Sequence, residues 1–224
     1  MKRFVKENAL GLTFGLLFLI VLVGQAFAGL ADYNEQQLTE GVQQVSFGRY
    51  ITSASFAADV AENWQSEYLQ FFLFIFLTVW LVQKGSPESK KLEDVGRESE
   101  RDQKIGPYAD ESSPKWARAR GFKLFLFSNS LGFVMGAIFL VSWLAQFIAG
   151  RAAFNEEQLR NLEDPMGPGQ YLMAPDFWNR TLQNWQSELL AVASMAILAI
   201  YLRQRGSSQS KPVGAAHTAT GVES

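Results

Sequence analysis

The chain has 224 residues, 48% of them hydrophobic and 19% charged, with a formal net charge of −2. It contains no cysteine and one histidine, His217, which excludes disulfides, thiolate metal sites and cysteine nucleophiles and leaves little neutral-pH acid–base chemistry. A net-negative chain without a basic stripe is also not built for nucleic acid.

The apolar residues gather into four blocks. Lys2, Arg3 and Lys6 precede the first, which runs without a charge over 9–29. A hydrocarbon core about 30 Å thick needs roughly 20 helical residues at about 1.5 Å each, so this block predicts a membrane span. Its basic start and Ala26-Phe27-Ala28 also resemble a secretory signal. Its counterpart at 124–150 is internal and cannot be a signal, so retention as a helix is expected. In the polar stretch after the first block, Phe56, Val60 and Trp64 fall at i, i+4 and i+8. That spacing predicts a short amphipathic helix on the outer membrane surface. The second block, 64–83, has Glu67 in its first turn as its only charge. The stretch 85–121 mixes both charge signs, is broken at Gly106-Pro107 and Ser112-Ser113-Pro114, and has too little apolar content to fold alone. The third block, 124–150, is charge-free; the fourth, 185–202, carries Glu188 in its first turn, and Phe177, Thr181 and Trp185 lead into it. Residues 206–224 read as a disordered tail.

Basic residues orient the spans. Lys2, Arg3, Lys6, Lys84, Lys90, Lys91, Arg118, Arg120, Lys123, Arg203, Arg205 and Lys211 flank one set of ends, whereas loop 30–63 carries only Arg49 and loop 151–184 only Arg151, Arg160 and Arg180. Both termini and the linker are therefore expected in the cytoplasm, and the two shorter loops outside.

Adding 121 to a residue number aligns the two halves without a gap. Asn8, Gly11, Gly15, Gln25, Gly29, Asn34, Gln37 and Tyr50 meet Asn129, Gly132, Gly136, Gln146, Gly150, Asn155, Gln158 and Tyr171; Asn63-Trp64-Gln65-Ser66-Glu67 meets Asn184-Trp185-Gln186-Ser187-Glu188. About a third of the aligned positions over 2–91 are identical. Each unit holds two spans, so the copies enter the membrane in the same direction, with a pseudo-two-fold axis along its normal. The expected architecture is all-α: four transmembrane helices as two parallel tandem two-helix repeats with helical outer loops. The expected divisions are 1–84, a cytoplasmic linker 85–121, 122–205 and the tail 206–224.

The repeated residues have structural and functional readings. Gly11 and Gly15, with Gly132 and Gly136, have the spacing that lets membrane helices approach closely. Asn63 and Asn184 can cap helices, Trp64 and Trp185 can anchor at the interface, and Glu67 and Glu188 suit a positive helix start. The sharper reading brings Glu67 and Glu188 together at the outer mouth, with Gln65, Gln186, Asn63 and Asn184 around them, where facing carboxylates could bind a cation or share a proton.

The strings Asn63-Trp64-Gln65-Ser66-Glu67-Tyr68-Leu69-Gln70 and Lys84-Gly85-Ser86-Pro87-Glu88-Ser89-Lys90, with their second copies, resemble an uncharacterised family of bacterial integral membrane proteins. The resemblance implies a bacterial inner-membrane setting and supplies no activity or cofactor. In the second copy Pro87-Glu88 becomes Ser208-Gln209, so a charge-based role for that turn is not repeated. The expectation is a non-enzymatic envelope or accessory membrane protein; the alternative is a small dimeric channel or transporter using the carboxylate pair. The implied partners are the lipid bilayer and a second copy of the chain or another membrane protein, with no nucleic acid, cofactor or metal.

Overall fold

The computed structural model describes residues 2–222. Among them are eight α-helices and no strand: α1 Lys2–Glu7, α2 Ala9–Thr39, α3 Phe47–Ile51, α4 Ala54–Leu77, α5 Phe122–Ser128, α6 Ser130–Arg160, α7 Pro168–Leu172 and α8 Pro175–Tyr201. Single 3-10 turns at Leu92–Asp94, Gly106–Tyr108 and Lys115–Arg118 punctuate the linker. Two helices, α2 and α6, are long and apolar enough to cross a membrane.

Local chemistry sets the helix ends. The Asn8 amide donates to the Phe4 carbonyl between α1 and α2, and Asn129 does the same to Phe125 between α5 and α6. The α2 end is closed by Gly41, left-handed at φ 72°, with the Val42 amide returning to the Gln37 carbonyl and Gly41 to Leu38. At the end of α6 the same two bonds run from Glu163 to Gln158 and from Leu162 to Leu159. There the left-handed position is filled by Leu162, at φ 58°, a conformation that costs a branched residue about 1–2 kcal/mol.

The chain forms two compact units. One comprises Met1–Ala61 with Ala145–Met173; the other comprises Glu62–Leu144 with Ala174–Ser224. In the first, Tyr50 and Tyr171 are buried and their hydroxyls abut Gly29 and Gly150. Asn34 clamps its loop by accepting from the Val45 amide and donating to the Val45 carbonyl, and Asn155 holds Met166 in the same two-bond way. In the second unit Trp143 is the centre of an aromatic cluster with Phe139, Phe177, Trp178 and Trp185. There too the Lys211 ammonium, fully buried, donates to the carbonyls of Gly85, Ala216, His217 and Ala219. Residues 206–222, read in the sequence as a disordered tail, are placed as a run of turns around that ammonium; 223–224 lie outside the described residues.

Several expectations are corrected. Four helices long and apolar enough to span were expected, and among the described residues two meet that requirement. The second block does not stay helical to residue 83: α4 ends at Leu77, where the Thr78 hydroxyl bonds back to the Phe74 and Ile75 carbonyls. Its charge-free helical part after Glu67 is therefore about 15 Å long, and that of α8 after Glu188 about 20 Å, both short of roughly 30 Å. The amphipathic lead-ins are not separate surface helices but the first turns of α4 and α8. Finally, a Cβ at Gly11, Gly15 or Gly132 would meet open space, so these glycines receive no close helix; Gly136 alone of the four has a tight neighbour, the Phe72 ring at 3.1 Å.

Candidate functional site

The continuity of α4 and α8 changes the meaning of Asn-Trp-Gln-Ser-Glu. Ser53, not Asn63, holds the start of α4, accepting from the Phe56 amide. α8 starts at Pro175, a residue suited to a first helical position. Both copies of the string thus lie in mid-helix, beyond reach of the positive helix start, so neither capping nor the helix dipole accounts for Glu67 and Glu188.

Within the second unit the carboxyls of Glu67 and Glu188 lie close enough to interact. Glu67 is exposed and Glu188 half-buried.

The remaining residues of the string are used unequally. Gln65 is completely buried and its carbonyl accepts from the Trp185 indole at 2.7 Å, while Gln186 is exposed. The Gln65 amide nitrogen has no hydrogen-bond partner among the described residues. Ser66 and Ser187 each donate back to the carbonyl three residues earlier, Asn63 and Asn184, at 2.9 Å. Asn184 bonds the Arg180 carbonyl, and the Arg180 guanidinium pairs with Glu62 at 3.0 Å. Trp185 is part of the aromatic cluster, and Trp64 is 42% exposed.

A second polar centre lies in the first unit, where sequence reasoning placed no site. Arg160, the last residue of α6, bonds Glu40 at 3.0 Å, Glu156 at 2.6 Å and the Tyr33 hydroxyl at 3.1 Å. With its amide turned, buried Gln37 presents its oxygen to both guanidinium nitrogens, at 2.8 and 2.9 Å. Glu156 and Arg160, four apart near a helix end, were the available signal; the partners on α2, more than a hundred residues away, were not legible. Tyr33, Gln37, Glu156 and Arg160 border a cavity of about 600 Å³, also lined by Val42, Val45, Arg49 and Tyr50. Burial, with Asp59 and Asp32 nearby, pushes the Tyr50 phenol above its usual range.

No curated protein and no solved structure matches the chain. One family does match, over residues 1–222, and the protein accordingly belongs to DUF6766, a domain of unknown function.

Proposed function

We propose that this protein is a multi-pass protein of the bacterial inner membrane, made of two tandem helix–loop–helix copies, that acts in the envelope or as an accessory subunit and not as an enzyme. One observation carries the membrane reading: in the most apolar stretches of α2 and α6 only 6% and 11% of residues are buried within the chain. Leu10, Phe14, Val21 and Val141 are each at least 66% exposed. Water penalises such bare apolar columns, whereas lipid accepts them because every backbone group is satisfied inside the helix.

The duplication is supported by geometry at the 121-residue offset. Ala9–Thr39 and Ser130–Arg160 correspond end to end, as do Phe47–Ile51 and Pro168–Leu172, and the starts Ala54 and Pro175. The Asn34 and Asn155 clamps, the Asn8 and Asn129 bonds and the two helix closures repeat at the same offset. Two crossings per copy put both termini and the linker in the cytoplasm, as the basic residues ask. In this reading α4 and α8, of 24 and 27 residues, make the second and fourth crossings as whole helices.

The absence of cysteine makes the test clean. The protein should stay with membranes through alkaline carbonate washing. On spheroplasts, an impermeant maleimide should label Glu163→Cys, in the second outer loop, and spare Ser99→Cys, in the linker, until the membrane is opened. Release by carbonate, or the opposite labelling pattern, would overturn the reading.

The contact between Glu67 and Glu188 favours a second reading, a small dimeric channel or transporter with an outer carboxyl pair. Cation flux in proteoliposomes should then fall about tenfold or more in Glu67→Gln/Glu188→Gln, the loss of a charged coordination partner. Flux equal to the wild type in the double variant sinks it.

A further inference from the structure

The cavity of the first unit has a chemistry and a depth of its own, and its assignment rests on the membrane setting proposed for the chain. Its volume of about 600 Å³ falls within the roughly 300–1,000 Å³ of small-molecule sites. Its depth follows from helix geometry. The charge-free run of α2 ends near Gly29, so Tyr33 stands about 6 Å beyond it; on α6, Glu156 stands about 9 Å beyond Gly150. Tyr33 and Glu156 are hydrogen-bonded to each other, so both helices place the cavity wall at one level. The headgroup layer occupies roughly the first 5–8 Å outside the hydrocarbon, and the wall therefore sits at its edge.

Charge selects the ligand. Arg160 is more than offset by two carboxylates, Glu156 at 2.6 Å and Glu40 at 3.0 Å, and is also bonded by Gln37, so it has no charge to spare for a ligand. Arg49, the only cation of its loop, lines the same cavity, is exposed, and forms no ion pair among the described residues. Its fork of donors matches phosphate oxygens, and the Tyr50 phenol lies in the same wall.

We propose that this cavity binds the phosphate of a phospholipid headgroup at the outer face of the membrane, with Arg49 as the charge partner. A headgroup fits the volume better than a bare ion does, and the depth delivers it from the adjoining leaflet.

The test uses the full chain purified in dodecyl maltoside. Its unfolding temperature is followed against dihexanoyl phosphatidylglycerol, dihexanoylglycerol and inorganic phosphate. The phospholipid should raise the midpoint and dihexanoylglycerol should not. In Arg49→Gln the apparent affinity should drop about tenfold or more, as expected for losing a charge-assisted hydrogen bond. Arg49 is exposed, so the lipid-free midpoint of the variant should equal the wild type's. No shift in the wild type, an undiminished shift in Arg49→Gln, or an equal shift from dihexanoylglycerol would overturn the site. An equal shift from inorganic phosphate would overturn the lipid as its source. Both proteins are also washed with carbonate: release there counts against the membrane reading, whereas retention with no lipid effect counts against this site alone.

Discussion

Gly29 and Gly150 each face a buried tyrosine, and the two contacts differ in a way that can be measured. A Cβ at Gly29 would lie 2.1 Å from the Tyr50 hydroxyl and 3.0 Å from its ring carbon; at Gly150 the distances to Tyr171 are 2.7 and 3.6 Å. Alanine at a helical glycine recovers about 1 kcal/mol of propensity, but overpacking a buried site costs about 1–3 kcal/mol. Gly29→Ala should therefore lower stability, and by more than Gly150→Ala. Removing the hydroxyl separates the cases: Tyr171→Phe should restore Gly150→Ala fully, while Tyr50→Phe should restore Gly29→Ala only in part because the ring carbon stays too close. Unfolding midpoints in detergent give the comparison, and equal rescue at both sites would contradict the geometry. Tyrosine spacing after each glycine was legible as part of the repeat; that the hydroxyls press on the glycines was not, because it depends on how each loop folds back.

At the scale of elements, α4 and α8 are the main departure from what periodicity suggested. Tryptophan and asparagine beside a polar stretch read as a helix boundary at 63–64 and 184–185, yet the helices begin at Ala54 and Pro175. The amphipathic spacing of Phe177, Thr181 and Trp185 was real: Phe177 and Thr181 are buried, and Thr181 faces the Trp143 indole at 3.5 Å. What the spacing lacked was any mark that one helix stops and another starts. A proline in the middle of a continuous helix removes one backbone bond and clashes with the preceding turn, at a cost of about 3 kcal/mol. Ala61→Pro should then destabilise α4 by about that amount, measured by denaturant titration in mixed micelles, whereas a boundary near residue 63 would tolerate it. The helix closures after Thr39 and Arg160 teach the same lesson in reverse. Gly41 is an overt stop signal, but Leu162 takes the identical backbone position without one, held by its two returning amides.

For the molecule as a whole, the units cut across the halves of the chain. Arg160 reaches Glu40 and Tyr33 in the first unit; in the second, Trp185 bonds Gln65 and Arg180 bonds Glu62. Each unit thus needs residues from both sides of the linker. A protease site introduced at 99–103, cut after folding, should leave the two fragments co-eluting on size exclusion in mild detergent. Fragments that separate would show that contacts across the halves do not hold each unit together.

Apolar runs, their lengths, the charges beside them and the 121-residue offset belong to the sequence alone, because transfer energies and helical periodicity act within one or two turns. Helicity and the two long apolar columns followed from that. The tertiary structure decided which copy of a repeated residue is buried, as with Gln65 against Gln186, and that Arg160 organises a polar centre with α2. Those outcomes depend on side chains more than a hundred positions apart competing for the same space and hydrogen bonds, and no local window of the chain contains both competitors.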